Sequence, residues 1–467
     1  MITMKESKLL LEKIEEGIEL ANRYKQPIVV SITTAIDKQD ALAFFQAFKH
    51  KTDMRTFWTE PSREFALIGV GTAMSLEAEG LSRFQEIDKR WKEMIEHAVI
   101  SNEANVIGTG PTIIGGFNFD PLKEKSPIWK SFPDAKLVLP TFMITIDKDS
   151  CWLTENYLVR DTDEPKTLFQ KAEAEKEKLL QASATLDENN PSSIIKEEIE
   201  PQAWIQTVEK TTEQIKKHEL EKVVLAREMR LYADAPFSPE HVLNHLLNEQ
   251  TTSFVFAFEY GQDCFLGATP ERLAKRLNDN VFFTCLAGSI KRGKTKEEDE
   301  QLGNFLLNDQ KNRYEHQLVV DMISDVACKS CTNVQVPETP TLLKTPHVQH
   351  LYTPITAKTG NASLLEIIEA MHPTPALGGY PKEIGIEKIR DIEQLDRGWY
   401  AAPIGWIDYN GNGEFAAAIR SALIQNKQAS LFAGVGLVAD SDPMAEYEET
   451  LIKFKPMLSA LGVDKHE

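Results

Sequence analysis

The stretch Ala401-Ala402-Pro403-Ile404-Gly405-Trp406-Ile407-Asp408-Tyr409-Asn410-Gly411-Asn412-Gly413-Glu414-Phe415-Ala416-Ala417-Ala418-Ile419-Arg420 decides the fold class. Its apolar runs read as two strands, and the Asn/Gly quartet between them as a hairpin turn, because Asn and Gly tolerate the positive φ expected at both turn positions. A tight turn makes the two strands antiparallel neighbours. Outward from this hairpin, apolar β-branched and aromatic runs predict strands over 222–231, 254–260, 281–287, 401–407, 415–424 and 430–435. Helical spacing predicts helices over 309–326, 362–370 and 443–459. Strands joined by hairpins and interspersed with helices give an α+β fold, a large two-layered unit of antiparallel sheets flanked by helices.

Chemistry-bearing residues fall on these elements. In a continuous strand over 415–424, Arg420 shares a face with Ala416 and Ala418, leaving room for a ligand beside a fixed cation; a surface ion pair is the plainer alternative. Lys222 opens a strand that is apolar on both faces, so its amine either enters a buried site and loses its proton readily or snorkels to water. Glu271 follows Gly267-Ala268-Thr269-Pro270, where a carboxyl packed against apolar groups can stay protonated and act as an acid; an exposed turn glutamate is the alternative. Glu315 lies on one helix, and Glu446, Glu449 and Lys453 share a face of another at i, i+3 and i+7. Two such carboxylates could meet Mg²⁺, although acidic helix faces are usually only solvated. Glycines at 434 and 436, and at 288, permit close approach of a ligand to the backbone.

The N-terminal part predicts strands over 28–33 and 65–70 and an amphipathic helix over 81–98, with no catalytic pattern. Gly108, Gly110, Gly115 and Gly116 surround Pro111 without a following Lys-Ser/Thr or a G-x-G-x-x-G, so they read as a turn between strands and not as a phosphate loop. A charged helix over 167–181 leads to Asn189-Asn190-Pro191-Ser192-Ser193 and a run of acids. The main boundary is placed within 187–200, separating an N-terminal α/β region (1–200) that adds to a shared core from a C-terminal catalytic domain (201–467). No repeat of fixed period is present.

Composition excludes several classes. The chain of 467 residues carries 71 acidic against 52 basic side chains, a net charge of -19, which opposes binding to nucleic acid or anionic lipid. No run of about 20 apolar residues exists to span a membrane. Residues 1–26 read as a charged helix and not a signal peptide, so the expected location is cytoplasmic. Five cysteines are too few and too scattered for a disulfide framework, and Cys328-x-x-Cys331 lacks a second pair for zinc.

Taken in order, Lys222-Val223-Val224-Leu225-Ala226-Arg227, Gly267-Ala268-Thr269-Pro270-Glu271, Leu286-Ala287-Gly288-Ser289, Tyr314-Glu315-His316, His372-Pro373-Thr374-Pro375-Ala376-Leu377-Gly378-Gly379-Tyr380-Pro381-Lys382, Ile419-Arg420, Phe432-Ala433-Gly434-Val435-Gly436 and Glu446-Tyr447-Glu448-Glu449-Thr450 resemble the chorismate-utilising enzymes, the group related to anthranilate synthase component I. The resemblance covers about 250 residues in several motifs. It implies a deep cleft in which Lys222 is the base and Glu271 the acid, with Mg²⁺ held by Glu315 and Glu449. It further implies substrate contacts from Ala287, Gly288, His350, Ala376, Leu377, Tyr400, Arg420, Gly434 and Lys453, His350 being alternatively a buried structural histidine.

Within that group the reaction forks at single positions. The position of Lys222 is lysine where water is added and glutamine where ammonia is added. Ala287 stands where aminodeoxychorismate synthases carry a nucleophilic lysine. Ala376 stands where anthranilate and salicylate synthases tend to have threonine. The resemblance therefore implies isochorismate formation, with no glutaminase subunit, and an N-terminal length like the menaquinone type. Salicylate synthase, a siderophore-pathway isochorismate synthase and a catalytically silent chorismate-binding protein are the alternatives.

Overall fold

The computed structural model describes residues 4–49, 51–180, 191–217, 220–345 and 348–463. The proposed boundary starts on residues that lie outside this set, since 181–190 are not described. Among the described residues, twenty-one strands form one hydrogen-bonded network, and all pairs are antiparallel except Ile28–Ile36 with Val99–Ser101. Strands from before and after residue 200 pair directly: Met54–Thr59 with Phe254–Tyr260, and Thr112–Phe117 with Pro403–Asp408. The two parts of the chain therefore share their sheets.

Aromatic side chains fill the space between these sheets. Trp129 meets Phe265 and Phe432 at centroid distances of 5.4 and 5.5 Å, and Phe132 meets Trp399 at 5.1 Å. Trp399 and Trp406 are fully buried, each removing a large apolar surface from water at about 25 cal/mol per Å². A buried ionic cluster reinforces the join: Arg55 donates from Nε and Nη2 to Glu259 at 2.7 and 2.6 Å, and from Nη2 to Glu240 at 2.9 Å. Removing one partner from such a cluster would leave an uncompensated buried charge.

The deciding hairpin forms, between Pro403–Asp408 and Gly413–Ala417. Its turn differs in detail. Only Gly411 is left-handed, at φ 78°; Asn410 is not. The side chain of buried Asp408 takes over the work, accepting from Asn410 N and Asn412 N at 2.9 Å each and from Asn412 Nδ2 at 3.0 Å.

Two other expectations need correction. The continuous strand over 415–424 is two strands, Gly413–Ala417 and Ser421–Gln425, broken at Ala418, Ile419 and Arg420. The reason is a change of partner. The first strand pairs with Arg272–Leu277 and the second with Asp263–Thr269, and Arg420 turns the chain between them at φ 52°. The period-two argument thus does not place Arg420. Of the four N-terminal glycines, Gly108 and Gly110 sit in the turn, but Gly115 and Gly116 lie inside the strand Thr112–Phe117. A Cβ on Gly115 would stand 2.0 Å from the carbonyl oxygen of Lys136 on the adjoining strand, so close packing and not a bend requires glycine there.

All five cysteines are free thiols; Cys328 is exposed near the end of the helix Gln310–Ser330, and Cys331 begins the next strand. Among the described residues, no helix is long and apolar enough to cross a membrane.

Candidate active site

Two long strands and two helices frame a cavity of about 320 Å³. The strand Lys222–Ala233 runs antiparallel to Gln428–Leu437, from Tyr232 opposite Gln428 to Val223 opposite Leu437. The third neighbour, Ser421–Gln425, pairs with that second strand only as far as Leu431. Beyond Leu431 the edge is open, and Gly434 and Gly436 line the cavity there. The helices Gln310–Ser330 and Pro443–Ala460 supply the acidic wall. Each begins with an aspartate cap, Asp309 accepting from Asn312 N and Asp442 from Ala445 N, which fixes where its first turns point.

The thirteen residues that the resemblance assigns to the site line this one cavity: Lys222, Glu271, Ala287, Gly288, Glu315, His350, Ala376, Leu377, Tyr400, Arg420, Gly434, Glu449 and Lys453. Every lining residue falls between Lys222 and Lys453. Space around Lys222 is created by glycine, because a Cβ on Gly436 would meet the Lys222 Cε at 3.0 Å.

Electrostatics divide the lining groups. Lys222 is 3% exposed, and burial pulls its amine below the usual lysine range, while Glu315 opposes the shift with its Oε2 3.8 Å from Nζ. Burial pushes Glu271 up from 4.5 to about 7, against the pull of Arg420, Lys222 and Lys453. Burial would raise Glu449 too, but Lys453, at 2.7 Å, and Arg420 more than offset it and leave the carboxyl below its ordinary value. Arg420 itself is lowered by burial, with Tyr400, Glu449 and Glu271 acting the other way. One cavity therefore holds a lysine biased toward losing its proton and a carboxyl biased toward keeping it, the division that general base and general acid require.

Two histidines are held in different ways. His316 donates from Nδ1 to the Ala287 carbonyl at 3.2 Å, which leaves Nε2 to accept from the Thr353 hydroxyl at 2.8 Å. It supports the wall from behind. His350 lies on the cavity with Nδ1 2.8 Å from Ser289 Oγ, and burial lowers its pKa to about 3.

Sequence reasoning left out several lining residues, including Lys311, Asn312 and Arg397. Arg397 sits at the floor, where it donates to the carbonyls of Leu377 at 2.9 Å and Val224 at 2.8 Å and pairs with buried Glu393. Glu393 in turn accepts from Ala226 N at 2.7 Å. This pair ties the Lys222 strand to the segment carrying Ala376 and Leu377. Glu393 caps the end of the helix Lys382–Ile392 and Arg397 lies beyond it, so their spacing carried no helical signal for the pair.

The family model described as "Chorismate binding enzyme" matches residues 13–462. The chain belongs to that family. It is 40% identical over 461 residues to isochorismate synthase MenF of Bacillus subtilis, covering 97% of this chain and 98% of that one. It is 34% identical to the salicylate biosynthesis isochorismate synthase of Pseudomonas aeruginosa, covering 96% and 93%. In fold it matches the menaquinone-specific isochorismate synthase MenF of Escherichia coli with a TM-score of 0.79 at 23% identity, over 96% of this chain and 99% of that one.

Proposed function

We propose that this chain is an isochorismate synthase, an isomerase that interconverts chorismate and isochorismate, at the branch leading to menaquinone. The observation that carries the reading is the opposed pair in one cavity, Lys222 shifted down and Glu271 shifted up. The end-to-end likeness to the Bacillus subtilis enzyme supports the same reaction and pathway.

Lys222, as general base, takes a proton from the water that adds at ring carbon C2. Glu271, as general acid, delivers a proton to the hydroxyl leaving C4, and the ring double bond shifts between them. Water in and water out balance, so the step is an isomerisation. Arg420 and the backbone near Gly434 hold the enolpyruvyl carboxylate, and Lys453, donating to the Gly434 carbonyl at 2.8 Å, fixes that edge. His350 orients a substrate oxygen, while Ala287, Gly288, Ala376, Leu377 and Tyr400 shape the cavity around the ring.

The acidic wall suits Mg²⁺. Glu315 and Glu449 come from different helices onto the same cavity, and the lowered Glu449 offers an ionised oxygen. Two carboxylates are what Mg²⁺ takes from a protein when substrate and water complete its octahedron. When bound, the ion supplies positive charge against the substrate's ring carboxylate. Ammonia delivery from a glutaminase partner has no place in a reaction that adds water.

The test is incubation of the purified chain with chorismate and Mg²⁺, with and without ammonium, followed by product identification. Isochorismate alone is expected. Release of pyruvate would make the chain a salicylate synthase, and chorismate bound but unchanged would make it a binding protein.

A further inference from the structure

The strand Asn280–Lys291 pairs antiparallel with Val348–Thr359, and the register slips once, on the cavity. Ala287 stands opposite Leu351 and Ser289 opposite His350, so Gly288 is bulged out of the ladder. Gly288 has φ 75°, and a Cβ there would come within 3.1–3.3 Å of Asn312, so the bulge depends on glycine. Without it, Gly288 would face His350 and the hydroxyl of Ser289 would be carried on to Gln349. Directly opposed residues on antiparallel strands share a face. The bulge therefore delivers one hydroxyl to one imidazole nitrogen, at 2.8 Å.

We infer that Ser289 is a positioning residue for His350: its hydroxyl donates to Nδ1, so that the single imidazole proton sits on Nε2 and is presented to a substrate oxygen. This rests on reading the cavity as the chorismate site. Burial, with Arg420 and Lys453 acting in the same direction and Glu449 against them, favours the neutral ring of His350, which carries one proton on one of two nitrogens. Nε2 has no protein partner among the described residues and belongs to a side chain that lines the cavity. The cations Arg420 and Lys453 mark the same cavity for an anion. A bare Nε2 lone pair would repel that anion, whereas Nε2–H donates to it, and only the second choice leaves Nδ1 free to accept from serine.

The test uses the full chain labelled with ¹⁵N-histidine, with the His350 signals identified by their loss in H350Q. Expected in the wild type is a neutral ring with protonated Nε2 and an Nδ1 resonance shifted by an accepted hydrogen bond. In S289A the Nδ1 resonance should move to that of an unbonded nitrogen, and in S289T it should return. The chorismate KM should rise about tenfold in S289A and recover in S289T, with thermal stability unchanged in both. A wild-type ring protonated at Nδ1, or an S289A spectrum identical to the wild type, would overturn the inference. If the expected spectra appear but chorismate is not converted, the reading of the cavity fails while the Ser289 to His350 assignment stands.

Discussion

Replacing Glu271 by Gln should abolish turnover and, above neutral pH, make the protein more stable. Glu271 is 8% exposed, and its carboxyl titrates at about 7 in the folded chain against 4.5 as a free side chain. A folded value raised in this way means that its contribution to stability is fully present below pH 4.5 and is lost as pH rises through about 7. At about 1.4 kcal/mol per unit, ionised Glu271 costs the fold on the order of 3 kcal/mol. Glutamine keeps the shape and cannot ionise, so E271Q escapes the cost. Urea denaturation without chorismate or Mg²⁺ should show the stability gap between E271Q and wild type widening by about 2–3 kcal/mol from pH 5 to pH 8.5. Two stability curves that run parallel across this range would refute the reasoning, since Glu271 would then titrate alike in folded and unfolded chains.

Other residues give sharper single outcomes. Lys222→Gln should lower isochorismate formation by about 10²–10⁴-fold while calorimetry still detects Mg²⁺-dependent chorismate binding; wild-type turnover would remove lysine as the base. Glu449→Gln should weaken Mg²⁺ binding by about tenfold or more in titrations without chorismate, and an unchanged affinity would place the metal elsewhere. Arg397→Ala strands buried Glu393 without its partner and should cost about 3–5 kcal/mol, read as a lower urea midpoint; an unmoved midpoint would show that the pair does not hold the floor of the cavity.

The sequence by itself determined the fold class, because strand periodicity and the Asn410–Gly413 turn are local signals with local causes. Through its resemblance to the chorismate-utilising enzymes it also marked thirteen of the lining residues, though not Lys311, Asn312 or Arg397. Which side chains meet was decided only by the tertiary structure. Lys222 and Glu315 stand 93 positions apart, and their approach to 3.8 Å is set by a strand and a helix packing around one cavity. The placement of Arg420 depends on a strand changing partners, and period-two alternation holds only while the partner stays the same. Arg397 follows a helix without belonging to it, and its burial beneath the cavity exists only once Val224 and Leu377 are brought to it. Burial shifts Lys222 down and Glu271 up, and burial is a property of the whole packed chain, so the local sequence left each of them open between a buried and an exposed reading.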